Sequence, residues 1–420
     1  MRDSVEKLRC VLQLALEKEE RVNTLKKERY WYPLAKATYG VEEILEILDS
    51  LVGFQTTMGP KVNEFERRFA EEVMHADGCG TPEVVMVNSG SSADLLLALL
   101  RLDRDSEVLI PAVTWPTHVW AAQMAGARVR FVDVDPMTLN VSLADLERKI
   151  EPATTHFWPV HLLGNPVDDR AIGFSESQSV RVIEDCCEAL GARTTHGRVP
   201  VGMENGGGAF SFFFSHHVTT MEGGAVVVGG SKSADELRQL RSHGWTRARA
   251  DWSPAVISPG VDPRYTFSTM GLNVRPTELQ AAMGLRQLDR LPAFTQARAA
   301  AAERFQAWIA NEPSLRFPLF GGQPSWMALP VMLTSEATYA RQELTAYLEA
   351  HGVETRPIVA GNLLRHPVAA GRLGVYCKGD FPGADEVHER GFYVGLTGLT
   401  TLEEIDRLTA TFGAFLKHRV

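Results

Sequence analysis

Four short stretches of this chain carry residue types that do chemistry. The first runs Phe210-Ser211-Phe212-Phe213-Phe214-Ser215-His216-His217 and continues through Val218-Thr219-Thr220-Met221 to Glu222-Gly223-Gly224. An apolar run that delivers a histidine offers an acid or base, because imidazole titrates close to neutral pH. The second is Asn88-Ser89-Gly90-Ser91-Ser92. Small hydroxyl residues and free backbone N–H groups at a helix start make an anion site. The third is Trp115, in Pro111-Ala112-Val113-Thr114-Trp115-Pro116. A flat aromatic after a strand can stack on a ring. The fourth, Ile183-Glu184-Asp185-Cys186-Cys187-Glu188, ends an apolar strand in carboxylates, for which packing alone gives no reason. Each stretch also has a plainer reading: a His pair satisfied at a strand edge, a helix cap, a core tryptophan, cysteines that fill space.

These residues need elements to hold them. The run before His216 is aromatic, short and flanked by glycine, so it reads as a buried strand. Gly223 and Gly224 can take positive φ and turn the chain into a second strand at Ala225-Val226-Val227-Val228. From Val84 onward the text alternates strand, loop and helix: Val84–Val87, a helix over Ala93–Leu102, Val108–Ile110, Val129–Asp135, Phe157–Val160 and Val180–Ile183. That rhythm predicts a mostly parallel sheet with helices on both faces, with reactive side chains at the strand ends. Pro276 opens a helix to about Leu291, and Ala293–Ala310 makes another. The composition shifts near Asn311-Glu312-Pro313, which divides the chain into residues 31–310 and a smaller α/β domain over 311–420. The smaller domain holds a strand at Ala328–Leu333, a helix over Glu336–His351 and a last helix over Leu402–Leu416. Residues 1–30 form an added amphipathic helix, with Val5, Leu8, Leu12 and Leu16 at helical spacing.

The chain has 420 residues, more than one simple core needs. Its 45% apolar and 23% charged content is that of a globular protein, and a net charge of -9 argues against general nucleic-acid binding. No run approaches the ~18 apolar residues of a membrane span, and the start lacks a signal-peptide core. A cytoplasmic location is expected. The five cysteines are scattered and contain no CxxC pair, so neither a disulfide framework nor a zinc site is expected.

The first stretch resembles one motif closely. In the sugar aminotransferases of the fold-type I pyridoxal phosphate (PLP) enzymes, the DegT/DnrJ/EryC1/StrS family, a similar segment reads Ser, a few residues, Lys, a short linker, then Glu-Gly-Gly. That Lys holds PLP as a Schiff base, and here His216 stands in its place. The same exchange marks the family's sugar 3-dehydratases, which use pyridoxamine phosphate (PMP), and the resemblance runs closest to those acting on GDP-4-keto-6-deoxymannose. It covers the chain from about Tyr32 onward and implies an aspartate-aminotransferase-like fold.

Residue by residue, the resemblance implies that Gly90, Ser91 and Ser211 bind the cofactor phosphate, that Trp115 stacks on the ring, and that Asp185 holds the pyridine nitrogen. Glu188 stands near the cofactor face. Asp94 departs from the Asn often found in these relatives. Gly271-Leu272-Asn273-Val274-Arg275-Pro276 also matches; in relatives this Asn reaches the phosphate of the neighbouring subunit, which implies a homodimer. His243, Arg247, Arg275, Arg356 and Asn362 are the implied glutamate and sugar contacts. A sister group with His at this place adds an iron–sulfur cluster, but no Cys lies between Cys187 and Cys377 to bind one.

The implied activity is C3 deoxygenation of a nucleotide-linked 4-keto-6-deoxy sugar. L-glutamate converts PLP to PMP, the cofactor is held without a covalent bond, and His216 serves as base and then acid. Two other classes stay open: a sugar-nucleotide aminotransferase with an atypical site, and a catalytically inactive PLP-fold binding protein.

Overall fold

The computed structural model describes residues 2–25, 29–74, 81–196, 206–250, 252, 260–369 and 380–417. Helix α1 (Arg2–Leu25) precedes the body and is tied to helix α2 (Val41–Val52) by the pair Arg9–Glu42. Of its expected apolar stripe, Leu12 and Leu16 are half-buried and Leu8 is exposed, as are Val11 and Leu14 beside it. Helix α3 (Pro60–Arg68) starts on a proline, which fits the first helical turn.

The alternation read from the sequence follows. Strand β1 (Glu83–Val87), helix α4 (Gly90–Arg101), β2 (Glu107–Pro111), α5 (Thr117–Met124) and β3 (Arg128–Val132) come first. Helix α6 (Leu143–Lys149), β4 (His156–Phe157), α7 (Asp169–Ser177), β5 (Arg181–Val182) and β6 (Glu184–Asp185) come next. Then follow β7 (Gly208–Ser211), β8 (Gly224–Val228), α8 (Ser231–Arg241) and α9 (Glu278–Ile309).

Strands β3, β2, β4 and β5 pair in parallel. The layer continues through the parallel bridge Val160–Asp185 into β6 and β7, which are also parallel. Strand β8 runs against both β7 and β1. A mostly parallel sheet is therefore present, with one reversed strand. Its β1 reads as unbroken apolar text because both faces are covered: Val85 and Val87 join one cluster with α4, while Val84 and Met86 join Phe65 and Phe69 on the other side.

Two expectations are corrected. Residues 278–309 form one helix with Pro292 inside, not two helices. A full capping box at Thr277 and Gln280 starts it, and burial of Leu288, Leu291, Phe294 and Arg298 flanks the proline and offsets its missing N–H. The Gly223-Gly224 pair does not supply the positive φ of its turn; Met221 does, at φ 68°. The glycines are needed for close approach. A Cβ on Gly224 would stand 2.5 Å from the Ser89 carbonyl oxygen, and one on Gly223 would strike the Thr220 hydroxyl.

A second, antiparallel sheet is built from β9 (Leu315–Arg316), β10 (Ala328–Leu333), β11 (Thr355–Pro357) and β12 (Gly391–Gly395), in the order β11-β12-β10-β9. Helices α10 (Arg341–Ala350), α11 (Pro382–Arg390) and α12 (Leu402–Lys417) accompany it. Its core joins Leu329, Val331, Leu344, Phe392 and Phe412 to Phe305 of α9 and to Tyr32.

Candidate active site

Register places the first pieces. Val87, Gly224 and Ser211 lie in one row across β1, β8 and β7. The segments leaving that row, residues 88–90 and 212–216, therefore exit the same edge of the sheet. Ser89 caps α4, its side chain accepting from Ser92 N at 3.1 Å. Gly90 follows, and a Cβ there would stand 2.5 Å from Ser211 Cβ and 3.2 Å from Cys187 Sγ. Only glycine lets these chain ends meet. The Ser91 hydroxyl is exposed beside Thr117 Oγ1, 3.3 Å away. Gly90, Ser91 and Ser211 thus come together at a helix N-terminus, where backbone N–H groups and the helix dipole favour an anion.

Trp115 leaves the end of β2 and is 57% exposed, which rules out the core reading. Three residues on, His118 is fully buried on α5 and bonds Asp185 Oδ2 through Nδ1 at 3.3 Å. Asp185 Oδ1 also accepts from Cys187 N at 3.0 Å. Burial alone would raise the Asp185 carboxyl. The bonds from His118 and the Cys187 backbone, with the His118 charge, outweigh burial and hold it below its ordinary value. Glu188 behaves in the opposite way. Burial and then the Asp185 charge push it up to about 7, against the lowering bond from Leu163 N at 2.6 Å. One site thus holds a committed carboxylate and a second one poised near neutrality.

Strand β7 ends at Ser211, earlier than the apolar run suggested, and residues 212–223 loop back so that Phe212 N meets Gly223 O at 2.9 Å. His216 sits in this loop, part-exposed, with its ring 5.9 Å from that of Phe213. Its Nδ1 is enclosed without a partner, which leaves Nε2 as the accessible nitrogen. Enclosure first, and then the Arg298 charge, push the imidazole pKa down to about 4. Arg298, buried on α9, donates to the carbonyls of Trp326, Met327 and Leu396 at 3.3, 3.1 and 2.7 Å and to His216 O at 3.2 Å. It fixes the His216 backbone to the second sheet. His217 points the other way: fully buried, its Nε2 bonds Ser325 O at 2.8 Å.

The remaining expected residues fall into two groups. His243, Arg247 and Arg275 gather around Trp245. The His243 ring stands 5.4 Å from it, and the guanidinium carbons of Arg247 and Arg275 stand 4.0 and 5.8 Å from its centre. Asn273 is exposed and accepts from Arg275 Nε at 3.0 Å; no hydrogen bond joins it to Gly90, Ser91 or Ser211. Arg356 is exposed and pairs with Glu354 at 2.9 Å. Asn362 does not offer a free amide. Its Nδ2 is committed to Asp385 at 2.8 Å and its Oδ1 to Leu364 N at 3.0 Å, so it clamps its own loop.

Residues 38–412 match the model of the DegT/DnrJ/EryC1/StrS aminotransferase family. The chain belongs to this family. It is 34% identical over 394 residues to the GDP-4-keto-6-deoxy-D-mannose 3-dehydratase of Yersinia pseudotuberculosis, covering 90% of this chain and 97% of that one. Among solved structures, the E coli GDP-4-keto-6-deoxy-D-mannose-3-dehydratase with bound hydrated PLP superposes with a TM-score of 0.84 at 32% identity, covering 91% and 99% of the two chains. A GDP-4-keto-6-deoxymannose-3-dehydratase structure with a trapped PLP-glutamate geminal diamine gives 0.82 at 32% identity, covering 91% and 100%. The fold is therefore that of the family's PLP enzymes.

Sequence reasoning missed His118 and Arg298. A histidine inside a short helix and an arginine within a long one carry no local mark of a buried partner. The nearest signal was Pro116-Thr117, which starts a helix just after Trp115 and places His118 in its first turn.

Proposed function

We propose that the protein is a PMP-dependent 3-dehydratase of GDP-4-keto-6-deoxymannose, with L-glutamate as amino donor. One observation carries the reading: a histidine stands in the loop after β7 where the family's aminotransferases carry lysine, among residues otherwise suited to PLP. The inward-packed lysines are engaged elsewhere, Lys36 with Glu404, Lys61 with Glu46 and Asp49, and Lys149 with Asp145. The glycine-only contact at Gly90 leaves a cradle beside Ser91 and Ser211 suited to a phosphate. Asp185, held ionised, suits a protonated pyridine nitrogen, and the open face of Trp115 suits the ring. The division into residues 1–30, 31–310 and 311–420, a homodimer with Asn273 facing the partner, and a cytoplasmic location belong to the same proposal. Among the described residues, no helix is long and apolar enough to cross a membrane.

When bound, the cofactor supplies an amine for the sugar ketone and a ring that takes up electrons. The protein's part is to hold and to move one proton. His216 is neutral at physiological pH because of its enclosure and Arg298, so its nitrogen is free to accept a proton. The protonated ring can then give that proton to the hydroxyl leaving C3. Asp185 would hold the ring nitrogen and supply one fixed negative charge there. Arg298 holds the base in place through its backbone. Proton transfer by one positioned side chain is worth roughly 10²–10⁴-fold.

The balance is simple. The sugar loses one oxygen, and glutamate becomes 2-oxoglutarate and ammonia. Mass spectrometry of a reaction with GDP-4-keto-6-deoxymannose, L-glutamate and PLP tests it. A sugar product lighter by one oxygen, with free ammonia, supports the reading. An aminosugar without ammonia makes the chain an aminotransferase, and absence of 2-oxoglutarate makes it a binding protein.

A further inference from the structure

Asp94 lies four residues after Gly90 on α4, so the two share a helix face. That face looks at the ends of β6 and β7. Oxygens of Asp94 and Asp185 and the sulfur of Cys187 lie within 4.8 Å of one another. Asp94 is 3% exposed, and its Oδ1 has no hydrogen-bond partner. Asp185 has two donors, His118 Nδ1 at 3.3 Å and Cys187 N at 3.0 Å.

Two carboxyls so close and so buried cannot both be ionised. The donors decide which one keeps the charge, and all of them serve Asp185. The titratable groups facing Asp94 are Asp185, Cys187 and, across Asp185, His118. None places a positive charge on Asp94 itself. Burial and then the Asp185 charge push the Asp94 carboxyl well above its ordinary range. Burial likewise pushes the Cys187 thiol up, so the sulfur stays neutral.

We propose that Asp94 is a positioning residue that stays a neutral carboxylic acid beside Asp185. The pair then carries a single negative charge, fixed on the carboxylate that faces the ring site. Asp94 adds no second charge, as an asparagine would not, but it can lose that role by titrating. The consequence for the ring nitrogen rests on the cofactor reading above; the proton on Asp94 does not.

The test uses the full chain with and without added PLP. Infrared difference spectra between wild type and Asp94→Asn show a neutral carboxylic acid band in wild type at neutral pH, lost in the variant. Linkage fixes the sign in thermal melts. A carboxyl with a raised folded pKa gives stability that is present below its unfolded pKa and lost as pH rises toward the folded value. The melting temperature of Asp94→Asn relative to wild type therefore climbs between about pH 5 and about pH 8. With PLP bound, Asp94→Ala shifts the pH midpoint of the cofactor absorbance and Asp94→Asn restores it. The proposal is overturned if the carboxylic acid band survives in Asp94→Asn. It is also overturned if that variant loses the same stability at both pH values, or if both variants move the absorbance midpoint alike. Should PLP not bind at all, the cofactor reading fails, and the infrared band still decides the proton.

Discussion

Substituting Gly90 by alanine separates binding from folding. The added Cβ would stand 2.5 Å from Ser211 Cβ, whereas carbon atoms rest at about 3.5–4.0 Å. Ser211 must retreat by roughly 1 Å or more, which takes its hydroxyl off any phosphate held there. A hydrogen bond to a charged group is worth about 1.5–3 kcal/mol. At 1.4 kcal/mol per decade, PLP affinity should fall roughly 10- to 150-fold. Stability should change less. Overpacking costs about 1–3 kcal/mol, and replacing glycine in a helix returns up to about 1 kcal/mol. Gly90 opens α4 and its φ is not positive, so alanine meets no backbone strain. Absorbance titration with PLP gives the affinity, and thermal denaturation without PLP gives the stability. A variant that binds PLP as wild type does, or whose loss of binding only follows unfolding, would refute the cradle.

Three further outcomes follow from the same geometry. Borohydride reduction of the protein with PLP should leave no phosphopyridoxyl-lysine in the site, and peptide mass mapping would detect one. Replacing Arg298 by methionine removes a positive charge, so the acid limb of kcat/KM should move to higher pH, while Arg298→Lys should leave the limb near its wild-type place; an unmoved limb in the methionine variant would exclude a role for Arg298 in setting His216. A homodimer that shares its sites predicts a dimer in sedimentation at assay concentration, and a fully active monomer would end that proposal.

Much of the sheet was legible because its text is periodic. Strands buried on both faces read as short apolar runs, and the helices between them carry one apolar stripe. Gly90 and Ser91 follow a strand end and Asp185 and Ser211 close theirs, as the strand–loop–helix text suggested, and the register brings those ends to one edge; their cofactor roles came from the resemblance and not from the pattern. What local text could not show was pairing across distance. The closeness of Asp94 to Asp185, the His118–Asp185 bond and the four carbonyls on Arg298 bring together residues far apart in the chain. Pro292 was read as a break because proline lacks an N–H, but tertiary burial on both sides carried the helix through. Gly223 and Gly224 were read as conformational glycines and proved to be steric ones.

The central claim is that His216, and not its neighbour, moves the proton. It is tested by measuring C3 dehydration and glutamate-driven PMP formation for His216→Asn and His217→Asn side by side. His217 holds Ser325 O inside the core, so its loss should lower stability and leave dehydration close to wild type in the folded fraction. His216→Asn should still bind PMP and should lose dehydration by roughly 10²–10⁴-fold. Near wild-type dehydration in His216→Asn, with loss in His217→Asn or in neither, would contradict the account.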